Sequence, residues 1–356
     1  MRDRGELRCL IAAGGTAGHV LPALAVAEEL RGRGASVTFA GSPDRVEARL
    51  VPEAGYELDR FRISGLPRRP GPALARALAR AGAAPVECVR ILRRRRPHVV
   101  LGAGGYVAGP MVLAAWTQRV PAALTEADAR LGLANRLAAP FAQRVFLAYD
   151  IPGRRGPKYR VVGRPIPSRS RPVPRAEARK RFGLPADGPV LGVFGALAGA
   201  RALNELAVSA FGAEGPAVLH LAGERDVEAL RGRVVRPDYV LLPSTDEFGA
   251  ALAAVDLALS RAGGTVWELA AAGVPAVLVP YPHATGDHQW LNAQHFVRAG
   301  GALAVREPAE GQALVRELLA EPDRLAAMRD AMLAAARPDA AERIAEELIE
   351  LAAARG

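Results

Sequence analysis

"AAGGTAGHVLPALAVA", residues Ala12 to Ala27, sets three glycines, Gly14, Gly15 and Gly18, between two apolar runs. The stretch entering it, "LRCLIAAGG", reads as a strand ending in glycines. The stretch leaving it, "LPALAVAEELRGRG", has helical apolar spacing and a glycine stop. Strand, glycine turn and helix in that order open a parallel sheet wrapped by helices. The glycine spacing is not that of the dinucleotide fingerprint, and no Lys follows to make a Walker A loop. Backbone N–H groups at such a helix start, reinforced by the helix dipole, suit an anion such as a diphosphate. His19 follows Gly18 directly. It either takes a proton from a hydroxyl beside that anion, a task for which its ordinary pKa is well matched, or caps and packs the helix.

Working outward, "SVTFAG", "PHVVLGAGGYVAGP", "VPAALTEA" and "RVFLAY" continue as strands. "GAGGYVAGP" carries a second glycine turn, with Gly104, Gly105 and Gly109 bracketing Tyr106; it either enlarges the anion cradle or is ordinary turn chemistry. Around residues 151–175 the texture turns rich in Pro, Gly and Arg ("IPGRRGPKYRVVGRPIPSRSRPVP") and reads as a linker. The pattern then restarts with "PVLGVFGALAGARALNELAVSAF", and "AVLHLAG", "YVLLP", "LALSRAGG" and "PAVLVPYP" add strands. The expected fold is α/β: two Rossmann-like, doubly wound parallel-sheet domains in tandem, with ligands at the strands' carboxyl ends in a cleft between them. The expected borders are 1–163 and 164–339, with an Ala/Glu-rich helix at about 340–356 packing back on the first domain.

Composition agrees with a globular chain: 356 residues, 50% apolar and 24% charged. Cys9 and Cys88 form no disulfide or metal pattern and read as buried thiols. The N-terminus lacks a signal-peptide pattern, and no stretch approaches the roughly 20 apolar residues of a membrane span. Charge is uneven. Residues 1–165 hold 27 Lys+Arg against 13 Asp+Glu, net +14, and the remainder 20 against 24, net −4. A basic half fits nucleic acid, an anionic membrane surface or an anionic substrate; without interleaved aromatics the arginines do not point to nucleic acid.

Ser260 to Ala293, "SRAGGTVWELAAAGVPAVLVPYPHATGDHQWLNA", is the most informative run. Gly263, Gly264 and Thr265 lead into a helix whose first N–H groups can hold a second diphosphate. Glu268, one turn in, either accepts ribose hydroxyls or simply favours the helix N-terminus. His283 and His288 are badly spaced for a shared metal on a helix, and no Asp-x-Asp occurs. No metal or other cofactor is signalled, so helix N-termini and Arg261 would neutralise the diphosphate.

With these motifs in order, "GGTAGHV", "GGYVAGP" and "ELAAAGVPAVLVPYPHATGDHQWLNA", the chain resembles the MurG family over essentially its whole length. The resemblance implies a GT-B type, inverting glycosyltransferase that moves N-acetylglucosamine from UDP-N-acetylglucosamine to the 4-hydroxyl of undecaprenyl-linked lipid I, making lipid II for peptidoglycan. It implies that Thr16, Ala17, Gly18 and His19 flank the reaction centre, with His19 as first candidate base, Glu126 as second and Asp128 as third. The acceptor diphosphate would lie on Gly14, Gly15, Gly18, Gly104, Gly105 and Tyr106. On the donor side it implies contacts from Thr16, Ala17, Gly18 and Leu197, with Thr245 for the uracil, Gly263, Gly264 and Thr265 for the diphosphate, Glu268 for the ribose and Gln289 for the sugar, and Asp128, Arg164 and Arg261 assisting. Three departures stand out. Leu197 replaces a serine in "GALAGA". Pro167 stands where an Arg is common, leaving Arg164 or Arg169 as the substitute. Thr125 replaces a frequent His.

Between the first two glycine turns, Leu74 and Leu78 share a helical face beside Arg76 and Arg80, and Arg93 to Arg96 form a basic run. Such a stripe either suits an anionic bilayer surface, which fits a peripheral protein on the cytoplasmic face of the inner membrane, or is a solvated face over core leucines. Two other functions fit the same motifs: a related GT-B transferase with another acceptor, or a degenerate UDP-sugar-binding protein.

Overall fold

A computed structural model of the chain describes residues 6–63, 71–195 and 200–354, leaving out the side chains of residues 72–81. The chain divides into two compact units, Met1–Pro167 with Pro338–Gly356, and Ser168–Arg337.

Among the described residues the first unit holds a parallel sheet of β1 (Arg8–Ala12), β2 (Ser36–Gly41), β3 (Glu57–Arg60), β4 (Val99–Gly102), β5 (Ala122–Glu126), β6 (Arg144–Leu147) and β7 (Tyr159–Val161). Their order is β3-β2-β1-β4-β5-β6-β7. The chain reverses its winding between β1 and β4, which pair in register from Cys9↔Val99 to Ala12↔Gly102. Both glycine turns therefore leave adjacent strands at the switch point, where open α/β sheets bind ligands.

Period-two alternation sorts the buried side chains onto two faces. Leu10, Ala12 and Val100 face a cluster with Cys88, Met111 and Val112. Cys9, Ile11, Val99 and Leu101 face one with Val26, Leu30, Ile344 and Leu348. The last two belong to the helix Ala340–Ala353, whose buried stripe Ala341, Ile344, Ala345 and Leu348 lies against the helix Ala17–Gly32. Arg33 adds ion pairs to Glu342 and Glu346. Exposed pairs contribute at most about 1 kcal/mol, whereas each large buried aliphatic contributes about 1.5–3 kcal/mol, so the apolar stripe fixes this helix.

The second unit repeats the design with β8 (Val190–Phe194), β9 (Ala217–Leu221), β10 (Tyr239–Leu242), β11 (Leu257–Ser260), β12 (Ala276–Leu278) and β13 (Ala302–Ala304), in the order β10-β9-β8-β11-β12-β13. Its switch point lies between β8 and β11, paired from Leu257↔Leu191 to Ser260↔Phe194. The Pro/Gly/Arg-rich stretch is not all linker. Tyr159–Val161 within it pairs with β6 as an edge strand, a place where a short strand with a charged residue such as Arg160 is well tolerated.

Candidate active site

The turn after β1 feeds the helix Ala17–Gly32. Thr16 stands at its N-cap in extended conformation (φ −142°, ψ 156°), and no side chain caps it. The N–H groups of Ala17 and Gly18 meet no acceptor among the described residues, the condition in which a helix start holds an anion. Gly15 differs. Its N–H donates to Oε2 of Glu47 at 3.0 Å, and Ser42 N–H donates to Oε1 at 3.0 Å. This corrects the expectation for the first turn: Gly15 serves the protein's own buried carboxylate, and the open donors lie two and three residues on, at Ala17 and Gly18.

The two turns of this unit interlock. A Cβ on Gly105 (φ +72°) would stand 2.2 Å from the Gly14 carbonyl oxygen, and one on Gly104 (φ +92°) 2.5 Å from the His19 ring. Only glycine permits that approach and those angles. Tyr106 lies over Gly15, its ring 3.2 Å from the position of a Cβ there, and burial pushes its phenol above the ordinary range. His19 turns Nδ1 to the Thr16 hydroxyl at 3.2 Å and lays its Nε2 edge along Gly104.

Glu126, at the end of β5, is buried, and burial raises its pKa against three opposing hydrogen bonds. It accepts from Gly132 N–H at 2.8 Å, Asn135 Nδ2 at 2.9 Å and Asp128 N–H at 3.2 Å. A carboxylate so engaged organises its loop, and as a base it would first have to release those donors. Asp128 belongs to the same loop, its backbone held by Glu126. Arg164 is likewise buried as a strap, donating to Gly18 O at 2.5 Å and Ala127 O at 3.4 Å. It ties the first glycine turn to the Glu126 loop. The crevice enclosed by Gly18, His19, Ala103, Glu126 and Arg164 has about 10 Å³ of free space, room for one water and no sugar.

In the second unit the helix Thr265–Ala271 starts at Gly264 without a side-chain cap, and the N–H groups of Gly264 and Thr265 have no acceptor among the described residues. Asn292 Nδ2 donates to Ala262 O at 3.1 Å, and the Gln289 amide stands beside Gly263 while its Oε1 accepts Tyr281 N–H at 2.8 Å. Glu268 accepts the Ser170 hydroxyl at 2.6 Å. The Arg261 guanidinium is buried. It donates to Val279 O at 2.9 Å and Pro280 O at 3.2 Å, and burial lowers its pKa. Arg261 thus has a structural task besides any phosphate contact. Thr245 Oγ1 accepts Glu247 N–H at 3.1 Å, turning the chain into the helix Phe248–Ala254. Leu197 lies outside the described residues.

Of the basic and apolar patch, the side chains of Leu74, Arg76, Leu78 and Arg80 also lie outside the described residues. Arg94 pairs with the buried Asp59 at 2.6 Å, so it anchors the end of its helix to β3 and is not a free surface charge. Arg93 donates to Gln118 at 3.3 Å. The structure adds apolar side chains that the sequence reading passed over: Val86, Trp116, Leu133 and Leu137 are 54–66% exposed on three helices, Pro72–Arg95, Ala108–Thr117 and Leu133–Ala138. Among the described residues no three His, Cys, Asp or Glu side chains gather as metal ligands.

Comparison with known proteins adds sequence likeness to this geometry. Residues 9–147 match the glycosyltransferase family 28 N-terminal domain and residues 190–344 its C-terminal domain. The chain is 43% identical to the UDP-N-acetylglucosamine--N-acetylmuramyl-(pentapeptide) pyrophosphoryl-undecaprenol N-acetylglucosamine transferase of Acidithiobacillus ferrooxidans, over 96% of this chain and 97% of that protein. It is 42% identical to the enzyme of the same name from Halorhodospira halophila, over 96% and 98%. The crystal structure of Acinetobacter baumannii MurG matches with a TM-score of 0.76 at 27% identity, over 97% of this chain and 99% of that one. With both domain models matched in order and near-complete coverage by these relatives, the chain belongs to glycosyltransferase family 28 and, within it, to the MurG family.

Proposed function

We propose that the protein transfers N-acetylglucosamine from UDP-N-acetylglucosamine to the 4-hydroxyl of the N-acetylmuramoyl-pentapeptide on undecaprenyl diphosphate, with inversion at the anomeric carbon. The observation that carries this reading is the 43% identity, across 96% of the chain, to an enzyme of that name. The two switch points supply matching chemistry. In the first unit the open N–H groups of Ala17 and Gly18 bind the acceptor's diphosphate, and His19 beside them takes the proton from the attacking hydroxyl. In the second unit Gly264 and Thr265 bind the nucleotide diphosphate, Glu268 accepts from the ribose, and Gln289 meets the sugar. Charge that develops on departing UDP falls to those N–H groups and to the buried Arg261.

The acceptor is lipid-linked, and among the described residues no helix is long and apolar enough to cross a membrane. The exposed Val86, Trp116, Leu133 and Leu137, with the exposed Arg136 next to Leu137 in the chain, support docking on an anionic bilayer surface.

UDP release from UDP-N-acetylglucosamine, followed with and without a lipid I analogue, tests the reading. Release that depends on the analogue is expected. Binding of UDP-N-acetylglucosamine without turnover, or turnover with other acceptors only, would overturn it.

A further inference from the structure

We infer that Glu47 is a positioning residue of the acceptor site: its carboxylate locks the first glycine turn, and through it the second turn and His19, and reserves Gly15 for the protein so that acceptor phosphate meets Ala17 and Gly18. The inference rests on the reading of the first unit as the acceptor-binding one.

Glu47 opens the helix Glu47–Glu53 and is fully buried. It forms no ion pair among the described residues; its two oxygens are met by the N–H groups of Gly15 and Ser42, both at 3.0 Å. A Cβ on Gly14 would stand 2.3 Å from Oε1, and one on Gly41 2.8 Å from the Glu47 Cγ. Gly14 therefore lacks a side chain because Glu47 occupies the space, a reason independent of any ligand. The lock propagates. Gly14 O is the atom 2.2 Å from a Cβ position on Gly105, and the same position on Gly105 is 3.6 Å from His19 Nδ1. A shift of Gly14 toward Gly105 thus presses on the backbone of the second turn, whose Gly104 lies against the His19 ring. Occupancy also selects where an anion sits. The Gly15 N–H is already met by a protein carboxylate oxygen, so a phosphate oxygen drawn there would have to displace it. Two and three residues on, Ala17 and Gly18 offer donors at the positive end of the helix that meet no acceptor among the described residues.

The test is Glu47→Gln in the full chain, with steady-state kinetics in both substrates. The amide oxygen can satisfy one N–H, and the NH2 then opposes the other donor. A misplacement of the turn on the order of 1 Å would cost up to about 100-fold. We expect kcat/KM for a lipid I analogue to fall about 10- to 100-fold while KM for UDP-N-acetylglucosamine stays put, a split that a general loss of stability would not produce. Unchanged acceptor kinetics in the folded variant, or a rise in KM for UDP-N-acetylglucosamine that matches the acceptor loss, would overturn the inference. Amide exchange in the wild type needs no variant. Gly15 is expected to be protected whether or not inorganic pyrophosphate is present, with pyrophosphate perturbing Ala17 and Gly18. Protection of Gly15 that appears only with pyrophosphate would also overturn it. If the wild type itself showed no acceptor-dependent turnover, the functional reading would fail instead, and the Gly15 exchange would still report on Glu47.

Discussion

The turn after β1 and the turn after β11 look alike in sequence, two glycines and a threonine at the mouth of a helix, yet they are held in opposite ways. Charged side chains cross the first: Glu47 from below and Arg164 from the side, with Glu126 anchoring the loop beyond. A neutral group holds the second, the Asn292 amide on Ala262 O, with the Gln289 amide beside Gly263 and the buried cation Arg261 on the Val279 and Pro280 carbonyls. The difference follows from the proposed chemistry. A site that positions a nucleophile and its base needs a rigid turn whose donors are rationed. A site where charge grows on a leaving group gains from a buried cation that no carboxylate cancels.

The largest expected effect is at the first turn. His19→Ala is predicted to lower kcat by about 10²- to 10⁴-fold, the range for loss of a general base, with KM for UDP-N-acetylglucosamine little changed. A loss under about tenfold in stopped assays would move the base elsewhere. At the second turn, Glu268→Gln keeps an oxygen for Ser170 and removes the charge that strengthens a bond to ribose. KM for the donor is predicted to rise about tenfold, the cost of weakening one charge-assisted hydrogen bond, with the acceptor KM unmoved. Equal effects on both substrates would break the contrast.

The smallest effect concerns acid stability. In the second unit His220 is fully buried, between Tyr239 Oη at 2.9 Å from Nδ1 and Asn204 Oδ1 at 3.0 Å from Nε2. Asn204 in turn donates Nδ2 to Asp226 and Ala222 O. Asn204 Oδ1 only accepts, so Nε2 carries the proton and the Tyr239 hydroxyl donates to Nδ1. Burial lowers the His220 pKa from 6.5 to about 3. The folded value lies below the unfolded one, so the unfolded state binds the extra proton and stability falls as pH drops from about 6.5 toward 3. Urea midpoints measured across that range should decline less steeply in His220→Gln than in the wild type; parallel slopes would contradict this.

The central strands were legible because strands buried on both faces read as continuous apolar runs, such as "VVLG" of β4 and "VLGVF" of β8. The strands that escaped were "ELDR" (β3), "YRV" (β7) and "ALA" (β13), all at sheet edges, where short length and charge keep the ladder from recruiting other chains and also erase the pattern. At the site, the glycine turns and their place at strand ends were legible from spacing. What fills them was not. Glu47 meets Gly15 across 32 residues, Ser170 meets Glu268 across 98, and Arg164 meets Gly18 across 146. In sequence, Glu47 is one charge in "PDRVEARL", with nothing in its spacing to mark a buried lock. Such contacts exist only once the chain has folded, and they decided which glycine donors remain open.

The division of labour between the two turns is tested most directly by one pair of variants assayed with both substrates varied. Gly105→Ala drives a Cβ into the Gly14 carbonyl of the first turn. Gly263→Leu puts bulk beside the Gln289 amide at the second, where the glycine has open space. The account predicts mirrored results: acceptor kcat/KM falls in the first with donor KM intact, and donor KM rises in the second with acceptor KM intact. Both constants moving together in either variant would contradict it.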